Sequence, residues 1–65
     1  MKDLYLNGLY IEINTKNPND TVVYIYDCMS DLKETERDSI LNYLRAEGFI
    51  GNKIRCEIIR GEDYF

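Results

Sequence analysis

An Asn-Gly pair between two runs of alternating apolar residues constrains this chain more than any other feature. The stretch Leu4-Tyr5-Leu6-Asn7-Gly8-Leu9-Tyr10-Ile11 predicts a tight β-hairpin, because Asn and Gly both tolerate the positive φ that a two-residue turn requires. Such a turn sets Leu6 opposite Leu9, Tyr5 opposite Tyr10 and Leu4 opposite Ile11. Paired residues share a face of the sheet. Leu4, Leu6, Leu9, Ile11 and Ile13 then line one side, and Tyr5 and Tyr10 the other. The competing reading is one long strand with a bulge at Gly8, which also shifts the alternation.

Downstream, Asn17-Pro18-Asn19-Asp20 is a turn cluster within the segment 14–20, rich in residues that bond their own backbone or preset φ. The next strand, 21–27, carries β-branched and aromatic residues. Its pattern is ambiguous. Val23 and Ile25 form one face, and Val22, Tyr24, Tyr26 and Cys28 the other. Placing the aliphatics inward leaves the tyrosines outside; the alternative is that Tyr24 and Tyr26 fill core space.

A helix is expected over 31–47. Ser30 or Asp31 can cap it, Glu34 stands at capping-box spacing from Asp31, and Thr35-Glu36-Arg37-Asp38 offers a second, looser start. The first turn is then 3₁₀, with regular helix from about Thr35. Ile40, Leu41 and Leu44 make the apolar stripe, joined by Leu32 and Tyr43. Gly48 ends the helix in a left-handed conformation, with Phe49 returning to Leu44 in a Schellman ending. Gly51-Asn52 leads into a last strand, 53–60, followed by an acidic, aromatic tail, 61–65.

The order is hairpin, strand, helix, strand, with strands over 2–6, 9–14, 21–27 and 53–60. This predicts an α+β two-layer sandwich: a sheet of three or four strands with one helix on one face. A right-handed crossover places the last strand parallel to the strand over 21–27, at either edge of the sheet. The helix should bury Leu4, Leu6, Leu9, Ile11, Ile13, Val23, Ile25, Ile54 and Ile58 against Ile40, Leu41, Leu44 and Phe49. One helix covers one face only. The other carries Tyr5, Tyr10, Tyr24 and Tyr26 among Glu12, Arg55 and Glu57.

Chain length fits one domain, 1–65. A chain of 65 residues buries only about 60% of the surface it exposes when unfolded, so its stability is small. The net charge is −4. Direct nucleic-acid binding is disfavoured, because phosphate contacts need clustered Lys and Arg, and the 8 basic residues here are scattered. No apolar run approaches the roughly 20 residues of a membrane span. Met1-Lys2-Asp3 runs directly into folded pattern, without a signal peptide. Cys28 and Cys56 make no disulfide framework and fall on opposite faces, which fits a reducing cytoplasm.

The chain has no histidine. That removes the commonest general base and metal ligand near neutral pH. No catalytic residues, cofactor or metal site are expected, and the chain does not read as an enzyme. Asp27 and Asp31 lack the spacing of a calcium loop. Glu34, Glu36 and Asp38 complement a helix dipole; read functionally, they form a negative strip that imitates a nucleic-acid backbone. Lys53, Arg55 and Arg60 form a short basic stripe, expected to pair with Glu12 and Glu57.

The functional expectation is therefore a small acidic protein-binding module. It resembles in kind the compact inhibitors with which phages and mobile elements block a host or defence protein, acting in the host cytoplasm. Docking would use Tyr5, Tyr10, Tyr24 and Tyr26, with Glu34, Glu36 and Asp38 steering towards a protein partner that itself binds nucleic acid. The alternative is a homo-oligomer, such as a homodimer, whose tyrosine face self-associates or holds a nucleotide-like ring.

Overall fold

Asn7 and Gly8 adopt φ of 52° and 78°, the left-handed pair that a two-residue hairpin turn needs. In the computed structural model, which describes residues 2–63, this turn joins β1 (Lys2–Leu6) to β2 (Leu9–Asn17). The register is Leu6 with Leu9, Tyr5 with Tyr10 and Leu4 with Ile11. The single-strand alternative is thereby ruled out.

β2 continues past the boundary the sequence indicated. It runs to Asn17 and turns through Pro18-Asn19 into β3 (Asp20–Asp27). Asn17 Oδ1 accepts the Asn19 N–H at 2.9 Å, so the side chain rather than a longer loop closes this turn. The β2–β3 ladder shifts between Thr15 and Asn17. Lys16 is the extra residue of a bulge there. Beyond it the register sets Ile13 against Val23, Ile11 against Ile25 and Tyr10 against Tyr26.

Regular helix, α1 (Glu34–Ala46), starts within one residue of the Thr35 expected for it, but residues 31–33 ahead of it form no 3₁₀ turn. Neither Ser30 nor Asp31 caps it. The N-cap is Lys33, with φ −90° and ψ 157°. A lysine has no acceptor to offer, so only half of a capping box forms: Glu36 Oε1 accepts the Lys33 N–H at 3.1 Å. Residues 31–33 stay outside the helix because tertiary contacts hold them. Leu32 is 7% exposed and sits in the core, and its N–H donates to Asp27 Oδ2 at 2.9 Å.

The other end follows the local chemistry. Gly48 has φ 79°; its N–H reaches Arg45 O at 3.1 Å and that of Phe49 reaches Leu44 O at 2.9 Å. Those two bonds define a Schellman ending. Phe49 packs against the core cluster, to which Ile50 belongs, and Lys2 Nζ lies 4.5 Å from the Phe49 ring centroid.

β4 (Ile54–Arg60) pairs in parallel with β3, giving a four-stranded mixed sheet in the order β1-β2-β3-β4. With α1 on one face, the chain has a small α+β fold. The buried layer contains Ile11, Ile13, Val23, Ile25, Leu32, Ile40, Leu41, Leu44 and Ile50, with Leu4, Leu6, Leu9, Ile54, Cys56 and Ile58 packed around it. Tyr43, expected to join the helix stripe, is 43% exposed. A short 3₁₀ turn, Gly61–Asp63, follows β4. Tyr64 and Phe65, the aromatic end of the expected tail, lie outside the described residues, as does Met1.

Asp27 ends β3 on the inward phase and is fully buried. It accepts N–H groups from Leu32 and Asp31 and pairs with Arg60, directly opposite it on β4. Arg60 also donates to Leu32 O at 3.1 Å. Burial alone would raise this carboxyl's pKa, but the Leu32 N–H, the Arg60 guanidinium and the Asp31 N–H outweigh it and hold the pKa below its ordinary value. Asp27 and Arg60 are thus a clasp on the strand–helix connection, not part of an acidic site or a basic stripe. Gly61 closes over the same corner: a Cβ built on it would lie 2.0 Å from Cys28 O.

Candidate functional site

The sheet face away from α1 carries rows of side chains that run across the strands. Register places Tyr5, Tyr10, Tyr26 and Ile59 side by side in one row. Asp3, Glu12, Tyr24 and Glu57 form the next. Tyr5, Tyr10, Tyr24 and Tyr26 therefore share one face. Tyr24 and Tyr26 are half-buried there and lie outside the core cluster.

Three of the rings touch. Tyr5 and Tyr10 have centroids 5.3 Å apart at 43°, and Tyr10 and Tyr26 are 5.1 Å apart at 33°. Both separations fall in the range of favourable aromatic pairs. Tyr5, at the edge strand, is 79% exposed. The rings thus form a ladder stepping from the rim towards the middle of the sheet.

A carboxylate of the second row engages a hydroxyl of the first. Tyr26 Oη donates to Glu12 Oε1 at 3.2 Å. Partial burial of the Tyr10 phenol, then the Asp3 carboxylate, push its pKa up to about 12. Burial and Glu12 raise that of Tyr26. Both phenols therefore remain protonated donors across the physiological range.

Charge on this face is one-sided. Among the described residues, Asp3, Glu12 and Glu57 make no ion pair. Arg55, on the same face, pairs with Asp20 at 3.3 Å instead of Glu12 or Glu57. Arg60 points inward to Asp27. The basic stripe expected on the last strand is therefore divided between the two faces. Val22 is 1% exposed on the outward phase, where the Asn14 and Arg55 positions of the flanking strands border it.

Glu34, Glu36 and Asp38 are exposed on α1, in the layer covering the opposite sheet face. Glu36 is engaged by the Lys33 N–H, and Asp38 pairs with Arg37 at 3.0 Å. The fold does not bring them to the tyrosines. The open groove between the first hairpin and α1 encloses about 240 Å³ and is lined by Asn7, Leu9, Leu32, Thr35, Glu36, Ser39 and Ile40. Its one titratable group is the already bonded Glu36. Among the described residues, no group of three or more His, Cys, Asp or Glu side chains is placed to hold a metal ion. No helix among them is long and apolar enough to cross a membrane. Cys28 is exposed and Cys56 half-buried; both are free thiols, and burial raises the Cys56 pKa.

Asp3 and Ile59 join this face although neither stood out in the sequence. The signal for Asp3 was present, since extending the Asn7-Gly8 register by one pair on the same face sets it opposite Glu12. Ile59 lies in the alternation of β4 with Arg55 and Glu57. A comparison of the chain with protein-family models, curated proteins and solved structures finds no match.

Proposed function

We propose that this chain is a small acidic protein-binding module that docks through its tyrosine face, in the manner of phage or mobile-element inhibitors that block a host or defence protein. The observation that carries the reading is the Tyr5–Tyr10–Tyr26 ladder on the sheet face that α1 leaves uncovered. A tyrosine brings roughly 150–250 Å² of contact surface and loses little rotamer freedom on docking. Neighbouring rings that already fix one another lose less still. A continuous apolar patch of a few hundred Å² on a small chain marks an interface.

Self-association through this face is the weaker reading. A two-fold copy would bring Asp3, Glu12 and Glu57 of both chains together, and like charges across an interface cost affinity. Glu34, Glu36 and Asp38 belong to the other layer, so they act as a long-range steering charge and not as part of the docking surface.

The test compares retention of proteins from a lysate of the source cells by three immobilised forms: wild type, a Tyr24→Ala/Tyr26→Ala variant, and a Glu34→Lys/Glu36→Lys/Asp38→Lys variant. The same proteins should be held by wild type and by the charge-reversed helix, and lost by the folded tyrosine variant. Equal retention by the tyrosine variant would sink the reading. Sedimentation above the 7.7 kDa of one chain that reverts in that variant would favour self-association.

A further inference from the structure

The chemistry exposed by the tyrosine face points to a particular kind of partner. The Tyr26 hydroxyl donates to Glu12, so this donor is already engaged, and Asp3 stands in the row beside Tyr10. What the two rows present outward is mainly aromatic ring surface and carboxylate oxygen with lone pairs to spare, beside the Tyr5 and Tyr24 hydroxyls, which can themselves accept. Arg55, on this face, is held by Asp20. A surface of rings and acceptors is complementary to a planar cation rich in donors. Guanidinium fits all three demands: it stacks on aromatic rings, is weakly hydrated, and bonds carboxylates bidentately. An ammonium is compact and strongly hydrated, and matches the ring surface less well.

The spacing agrees. Glu12 and Glu57 sit on either side of Tyr24 in one row, and Asp3 stands beyond Glu12. The two rows are two residues apart along each strand, about 6.8 Å. A side chain lying along the Tyr10–Tyr26 rings therefore has a carboxylate within reach at the neighbouring row.

We infer that the tyrosine face binds an arginine-bearing protein surface, with guanidinium groups stacked on Tyr5, Tyr10 and Tyr26 and paired with Asp3, Glu12 and Glu57. The inference rests on the docking function proposed above and adds the chemistry of the partner.

The test titrates the isotopically labelled full chain with three capped peptides that alternate glycine with arginine, lysine or citrulline, and reads amide shifts by NMR. The arginine peptide should move Asp3, Tyr5, Tyr10, Glu12 and Tyr26, and bind about two- to fivefold more tightly than the lysine peptide. Citrulline keeps the planar shape without the charge and should bind more weakly than either. Glu12→Gln, which keeps an acceptor for Tyr26, should weaken the arginine peptide and leave the melting temperature near that of wild type. Equal binding of the lysine or citrulline peptide, shifts confined to Glu34–Asp38, or no shift at all would overturn the inference. The lysate experiment separates the two claims. Loss of partners in the tyrosine variant without arginine preference leaves docking standing and removes the guanidinium. Unchanged retention beside a clear arginine preference removes the docking function alone.

Discussion

Tyr26 and Asp27 are neighbours on β3, and they point into two different worlds. On the helix side, aliphatic side chains close around Leu44 and Ile25, and the one carboxylate buried there, Asp27, is matched by a guanidinium and two backbone N–H groups. On the open side, rings stand in file, and Asp3, Glu12 and Glu57 carry no countercharge among the described residues. The inner face is complete in itself: among the described residues, no buried side-chain polar atom lacks a partner. The outer face has ring surface and charge left over. In one sheet, burial demands satisfaction on one side, while solvent tolerates its absence on the other.

The sharpest test of that contrast is Asp27→Ala. It strands Arg60 and two N–H groups, and removing one partner of a buried pair costs about 3–5 kcal/mol. In a chain whose total stability is a few kcal/mol, no cooperative urea transition should remain. A midpoint close to wild type would mean that the clasp is ornamental. On the open face, Tyr26→Ala should act chiefly on binding. Loss of a central aromatic contact costs an interface about 2 kcal/mol or more, while folding loses about 0.5–1.5 kcal/mol per ring pair beyond the area term. A calorimetric titration against a captured partner, set beside thermal unfolding, gives both numbers. If stability falls and binding does not, the ring serves the fold.

Gly61→Ala probes the closed corner from another direction. The new methyl meets Cys28 O, a backbone atom that cannot swing away, and crowding of this kind costs about 1–3 kcal/mol. Urea unfolding without loss would show that the corner is looser than Asp27 implies.

The two faces also respond to opposite ends of the pH scale. The Asp27 pKa is depressed by folding, so its contribution is present above the ordinary carboxylate value near 4 and is lost as pH falls through its folded value. That of Tyr10 is raised to about 12, so its contribution is present below the ordinary phenol value near 10 and drains away between there and 12. Acid unfolding should be suppressed as a separate phase in Asp27→Asn, and the alkaline limb should be flattened in Tyr10→Phe. The smallest effect expected is that of Arg37→Ala. This exposed pair with Asp38 should change stability by about 0–1 kcal/mol.

Short-range chemistry made much of this fold readable. The first turn, its register, and the assignment of leucines and tyrosines to opposite faces follow from Asn7-Gly8 and strict alternation. The helix ending follows from Gly48 and Phe49, whose bonds span at most five residues. The cap and first turn of the same helix did not follow, because Asp27 and the core claim residues 31–33 before Ser30 or Asp31 can cap it. Arg60 and Arg55 read as one stripe until the parallel register set them against Asp27 and near Asp20, on opposite faces.

The tyrosine ladder shows where the boundary between these two kinds of information lies. Tyr5 beside Tyr10 was determined by residues between them, since a two-residue turn leaves one register open. Tyr10 beside Tyr26 was not. Continued without interruption from the Asn17–Asp20 pair, the second hairpin would set Ile11 against Tyr26 and mix core with surface along the whole strand. The bulge at Lys16 corrects the phase. No local preference of Lys16 asks for it. It forms because a slip of one residue reverses every side chain, and only the packed sheet, with α1 burying Ile11 beside Ile25, can register the cost of that reversal.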